Sequence, residues 1–337
     1  MRIAVDAMGG DHAPERIVAG AVEAAAGAGG RFEVVLVGDE LLITERFSHM
    51  LHGLPIEIVH APEIIEMDEA PAAAMRRKRD ASIPVAMRLH RDGEVDAVVS
   101  AGNTGAAMAS ALLTLGRLRG VHRPAIASLL PSEEGATLVL DVGANPAVSA
   151  ENLLQFALMG SLYTEYVFDV DSPRVGLVNI GEEENKGTET AVRAHALLKA
   201  SGLNFVGNVQ GRDILAGGLD VAVCDGFTGN VILKFAEGIV SLLTAGVKRG
   251  LSRSPVAKLG AVLMSPVFRQ LKKDLDYEEY GGAPLLGIDG VVIIGHGRSS
   301  AKAIRNAVRG ASRIVAEGLN DHIKLRLDEM HAAELPS

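Results

Sequence analysis

The sequence predicts an α/β protein, Rossmann-like in that a mostly parallel sheet carries helices on both faces. Three observations point there. Short β-branched apolar runs recur along the chain, alanine- and leucine-rich stretches of helical spacing separate most of them, and glycine loops follow many of the runs directly. Strands that are apolar without alternation are buried on both faces, as in parallel sheets.

The runs come in order. RIAVDA opens the chain and is followed by the helical stretch PERIVAGAVEAAAG. FEVVLVG, IEIVHA and DAVVSAG come next, each short enough for a buried strand. ATLVLDVG, RVGLVNIG, NFVGNV and DVAVCDG form a second series, with AVRAHALLKASG as a helix inside it. GVVIIGHG closes the set. No proline- or serine-rich linker divides the chain, so residues 1–337 read as a single α/β unit, with two lobes as the alternative.

Composition excludes several classes. The balance of 33 Lys+Arg against 42 Asp+Glu gives a net charge of −9, which argues against a nucleic-acid partner. One cysteine, Cys224, cannot form an intramolecular disulfide or a cysteine-based zinc cluster. Asp6 interrupts the first apolar run, so the N-terminus is not a signal peptide. Charges and glycines interrupt every stretch that approaches spanning length, and a cytoplasmic protein is expected.

Six loops share one design: DAMGGDHAP, SAGNTGA, DVGANP, NIGEEENKGTE, CDGFTGN and GHGRSSA. In an open α/β sheet such loops gather at the carboxyl edge, and all six are expected on one side. Backbone amides at helix starts suit an anion. No G-x-G-x-x-G follows the first strand, and the run from Gly181 to Thr188 has lysine and glycine in the wrong order for a P-loop. Glu182, Glu183 and Glu184 would also repel a triphosphate.

Candidate residues follow from these loops. Lys186 could stabilise phosphate or a developing oxyanion, with the glutamates orienting it. A surface lysine and carboxylates at a helix start explain the same pattern. Arg298 beside Ser299 and Ser300 would fork phosphate oxygens, or a serine simply caps the helix. His296 is a candidate base. Gly9 and Gly10 supply tight backbone, and Ser100, Asn103, Thr104, Asn145, Asp225, Thr228 and Asn230 supply polar groups. Turn and cap roles are the alternative for each. Asp6, Asp11 and His12 lack metal-ligand spacing, and no metal is expected. No G-x-S-x-G elbow appears, and Cys224 reads as packed, so no enzyme nucleophile is expected.

Residues 246–273 carry seven basic residues and no acidic one. They read as two short helices broken near Pro255 and Pro266. Lys248, Arg249, Arg253, Lys258, Lys272 and Lys273 beside Leu263 and Phe268 suggest docking to anionic lipid or an acidic carrier protein, or packing in a dimer. Arg76, Arg77, Lys78 and Arg79 form a second basic run.

The six loops together, with GAPLLGIDGVVIIGHGRSS, resemble the motif series of the bacterial phosphate acyltransferases of phospholipid synthesis, over about residues 1–319. The resemblance implies transfer of a long-chain acyl group from acyl-[acyl-carrier-protein] to inorganic phosphate, giving acyl phosphate for glycerol-3-phosphate acylation. It also implies a homodimer, peripheral membrane association, an acceptor acyltransferase as a possible partner, no cofactor, and a fold similar to phosphotransacetylases and isocitrate/isopropylmalate dehydrogenases. Lys186, Asn103 and Asn230 would then stabilise the oxyanion while Arg298, Ser299 and Ser300 hold phosphate, or the two sets exchange these roles. Donor alternatives are an acyl-coenzyme A, as in phosphotransacetylases; a dehydrogenase and a non-catalytic lipid or carrier scaffold are the other readings.

Overall fold

The computed structural model describes residues 1–252, 260–274 and 277–334. In chain order the elements are β1 (Arg2–Asp6), α1 (Glu15–Ala26), β2 (Glu33–Gly38), α2 (Glu40–Leu51), β3 (Ile56–His60), α3 (Pro71–Arg77), α4 (Ser82–Arg91), β4 (Ala97–Ser100) and α5 (Thr104–Thr114). Then come β5 (Ala125–Ser132), β6 (Gly135–Leu140), α6 (Ala150–Phe168), β7 (Val175–Val178), α7 (Glu189–Ala200), β8 (Phe205–Val209), β9 (Val221–Val223) and α8 (Gly226–Ser252). The chain ends with α9 (Ser265–Asp274), β10 (Ala283–Leu286), β11 (Val292–Ile294), α10 (Ala301–Ala316) and α11 (Leu319–Glu334).

One 11-stranded sheet runs through the molecule in the order β3-β2-β1-β4-β11-β10-β5-β6-β9-β7-β8. All nine of the expected strands are in it. Along β1 and β2 the side chains divide between two cores, Ile3, Val5 and Leu36 on one face and Ala4, Val35 and Val37 on the other. Helices α1, α6, α7 and α10 cover the first face, and α4, α5 and the start of α8 the second. That is why the strands read as unbroken apolar runs.

The two further strands, β5 and β10, change the geometry. β10 is antiparallel to both β11 and β5, and β5 is antiparallel to β6. Strands β1 to β5 and β11 therefore point one way, and β6 to β10 the other. The expectation that six loops share one edge is corrected by this reversal. The loops after β1, β4 and β11 lie at one edge; those after β6, β7 and β9 lie at the opposite edge.

Residues 246–252 do not form a separate short helix. They continue α8, whose glycines do not interrupt it. Gly226–Leu251 is long and apolar enough to cross a membrane, at a mean hydropathy of 1.5, so the sequence expectation of no such stretch is also corrected. The helical chain does break just before Pro266, as expected.

The second half of the sheet is tied at its amino edge by Asp220. Its carboxylate takes the Arg174 Nε and Nη2 at 3.0 and 3.1 Å and the Arg174 amide at 2.7 Å. Burial pushes the Asp220 carboxyl up, but the guanidinium and amide outweigh it and hold it below its ordinary value. A depressed carboxylate stabilises the fold above its unfolded pKa and loses that contribution as pH falls through the folded value. Asp220→Asn is therefore expected to melt a few degrees lower at pH 7. The gap to the parent should close below about pH 4, measured by thermal melts across pH; a gap that persists at pH 2 would contradict this.

Candidate active site

At the first edge, a buried carboxylate organises the loops. Asp6 is fully buried at the end of β1; it accepts from the Met8 amide and from Ser100 Oγ at 2.6 Å. Burial raises its pKa against those hydrogen bonds. Gly9 is required beside it, because a Cβ there would strike the Asp6 carboxylate. Gly10 has φ +118° and lies against Gly297 O and Ala101 O. Asp11 N donates to Gly297 O at 2.7 Å, so the first and last loops are joined directly.

Asn103 and Ser100 do different work from that expected. Asn103 Oδ1 caps α5 by accepting from Ala106 N, while its Nδ2 donates to the carbonyls of Glu66, Met67 and Glu69. No proton of that amide is left for an oxyanion. Ser100 gives its hydroxyl proton to Asp6. The basic run is also partly structural: Lys78 donates to Ile64 O and pairs with Glu69.

Arg298, Ser299, His296 and Thr104 remain available at this edge. Ser300 is the cap of α10, accepting from Ala303 N and donating to Glu278 at 2.7 Å. Ser299 is 7% exposed. Arg298 is exposed, at 3.8 Å from Asp11, and Thr104 is exposed at the first turn of α5. His296 is exposed, its Nδ1 accepting from Arg298 N. Helices α5 and α10 leave the neighbouring strands β4 and β11, so two helix N-termini adjoin this corner. Arg298 and Ser299 lie beside these helix starts, the kind of donors that suit an anion.

At the opposite edge Asp141 plays the part of Asp6. Its carboxylate accepts from the amides of Ile126, Gly143, Ala144 and Asn145 and from Asn145 Nδ2. Burial raises its pKa, and those donors pull the other way. Asn145 is 5% exposed, with its Nδ2 spent on Asp141 and Pro124 O, so it is not a ligand contact. Asp225 accepts from Thr228 N and Thr228 Oγ1, which makes this pair the start of α8 and takes the Thr228 proton. Sequence reasoning passed over Asp141; an aspartate closing an apolar strand and followed by V-G-A-N was the available signal.

α8 packs on this loop through Gly229. A Cβ at that position would collide with Asp141 O and lie 3.0 Å from Cys224 Sγ. Gly229→Ala is expected to cost roughly 1–3 kcal/mol, read as a lower unfolding midpoint in urea; an unchanged midpoint would contradict the close approach.

The glutamates do not hold Lys186. Glu182 turns to Gln210 and Arg212, and Glu184 to Lys199 at 2.7 Å, which lowers the Glu184 pKa. Glu183 contributes its backbone carbonyl, which accepts from the Lys186 amide. Lys186 is exposed and makes no ion pair among the described residues. Asn230 is exposed on the first turn of α8, near Gly143. Lys186 and Asn230 are thus the available cation and amide of this edge.

Of the docking residues, Lys248 and Arg249 are exposed at the end of α8 and Leu263 is 76% exposed. Phe268 is half-buried. Arg253 and Lys258, and the side chains of Lys272 and Lys273, lie outside the described residues.

The fold is similar to that of phosphotransacetylases. EutD phosphotransacetylase from Staphylococcus aureus superposes with a TM-score of 0.62 at 16% identity, covering 94% of each chain. A putative 4-hydroxythreonine-4-phosphate dehydrogenase from Salmonella typhimurium gives 0.52 at 13% identity over 93% of this chain and 99% of its own. The family model described as "Fatty acid synthesis protein" matches residues 1–322. Phosphate acyltransferases from Pelotomaculum thermopropionicum and Heliobacterium modesticaldum are 51% and 53% identical, covering 98% and 96% of this chain and 96% and 98% of their own. The chain belongs to the phosphate acyltransferase family and is an acyltransferase of fatty acid and phospholipid synthesis.

Proposed function

We propose that the protein transfers a long-chain acyl group from acyl-[acyl-carrier-protein] to inorganic phosphate, and that the acyl phosphate serves glycerol-3-phosphate acylation. The observation that carries this reading is the corner between the starts of α5 and α10, which suits an anion. Arg298, Ser299 and the first-turn amides hold orthophosphate. A phosphate oxygen attacks the thioester carbon, the oxyanion is stabilised by Lys186 and Asn230, and the C–S bond then breaks to release the carrier thiolate. Incubating acyl-carrier protein and phosphate with the protein should yield acyl phosphate, trapped with hydroxylamine. Carrier release that is indifferent to phosphate would refute the reading. An acyl-coenzyme A donor is the second reading, favoured by the phosphotransacetylase-like fold; parallel assays with both donors separate the two.

The reading includes a homodimer, because one chain keeps its two loop sets apart. β11 and β9 are four strand spacings apart, about 19 Å across the sheet, and their carboxyl ends point oppositely. A second copy can bring Lys186 and Asn230 to Arg298 and Ser299. α8 supplies a surface for it: Phe227, Val231, Phe235, Ile239 and Leu242 recur along one exposed stripe. An uncovered apolar stripe of this length marks an interface.

The protein is further read as cytoplasmic and peripherally membrane-associated, through the residues just before α9. Val262, Leu263 and Met264 are exposed there, in a segment rich in lysine and arginine. Leu263→Glu is expected to lower sedimentation with anionic vesicles several-fold while acyl transfer in solution persists; unchanged sedimentation removes this contact. An acceptor acyltransferase is the expected neighbour at that surface.

A further inference from the structure

The loop that carries Lys186 is held from behind by two buried polar side chains. Asn208, on the edge strand β8, is 5% exposed; His195, on α7, is 6% exposed. Asn208 Nδ2 donates to Glu183 O at 2.8 Å, and the Lys186 amide donates to that same oxygen at 3.1 Å. His195 Nδ1 lies 3.0 Å from Asn208 Oδ1. On the other side, Asn179 Nδ2 donates to Lys186 O at 2.9 Å.

We propose that Asn208 and His195 are positioning residues for Lys186, setting where its ammonium meets the reacting carbonyl; this rests on the reading of Lys186 as the oxyanion-stabilising cation. The hydrogen-bond orientations leave no freedom. A carbonyl oxygen can only accept, so Nδ2 must face Glu183 and Oδ1 must face the ring. The ring nitrogen at Nδ1 therefore carries the proton. Phe205 packs edge-on against the imidazole at 5.1 Å, and Ala194 and Leu198 are buried on the same helix. The other ring nitrogen, Nε2, faces the Glu184 carboxylate at 3.7 Å, and two polar side chains stay buried only when each is satisfied. The chain of bonds ends on Glu183 O, the oxygen that also receives the Lys186 amide. The backbone of Lys186 is thus gripped on both sides while its side chain stays exposed.

The test is a double-mutant cycle read on turnover with acyl-carrier protein and saturating phosphate. Asn208→Ala is expected to lower kcat about 10-fold, as expected of a misplaced catalytic group, with little change in the KM for phosphate. In the Lys186→Ala background the same substitution should change kcat less than about two-fold, because coupled residues are non-additive. Asn208→Asp is the near-isosteric second variant. It keeps an acceptor for His195 and loses the donor to Glu183, so it should repeat the loss and speed amide exchange at Lys186 without altering exchange in α6. His195→Asn, which retains a donor near Nδ1, should recover activity lost in His195→Ala. Equal losses in both backgrounds, or full turnover in both Asn208 variants, overturn the proposal. Full turnover in Lys186→Ala alone overturns the role of Lys186 itself, and is distinguishable because the Asn208 variants play no part in it.

Discussion

Lys186→Ala is expected to lower kcat by about 10²–10³-fold, the loss that follows removal of an oxyanion donor. The melting temperature should stay within a degree or so of the parent, because the side chain is exposed and makes no ion pair among the described residues. The neighbouring glutamates should not compensate: Glu182 and Glu184 are committed to Arg212 and Lys199. Lys186→Arg should recover part of the rate, since charge is kept while geometry changes. Initial rates of acyl phosphate formation at saturating phosphate decide the matter, and near-normal turnover would remove Lys186 from the chemistry.

Mixing two inactive variants should restore activity. Arg298→Ala disables the anion site at one edge of the sheet and Lys186→Ala disables the opposite edge. If each site draws one edge from each copy, a mixed dimer carries one site with both defects and one with neither. Random exchange then yields mixed dimers as half the population, and about a quarter of parental activity in all. Each variant alone stays near background, so the recovery is large. Exchange is verified by native mass spectrometry. A mixture that contains mixed dimers yet stays at background would show that one chain builds its own site.

Much of this was legible in the sequence. Nine strands announced themselves through β-branched runs, and the glycine loops after them supplied Lys186, Asn230, Arg298 and Ser299 as candidates. The two strands that escaped notice were β5 and β10. Each carries a proline, Pro131 and Pro284, and prolines argue against a central strand. They are also the strands that reverse the sheet, so missing them placed six loops on one edge. Asn103, Asn145 and Ser100 misled for a different reason. A polar residue in a glycine loop has the same composition whether it meets a ligand or its own backbone, and only the partners of Asn103 Nδ2 tell the two apart. His195 and Asn208 carried no signal, since their contact joins a helix to a strand across the fold.

The seat of α8 on β6 sets an angular tolerance. From Gly229 to the last described turn the helix runs about 35 Å at ~1.5 Å per residue. A tilt of about 5° at its root would sweep the far end through roughly 3 Å, so a methyl group forced in at Gly229 would be felt at the far end of the helix as well as at Asp141.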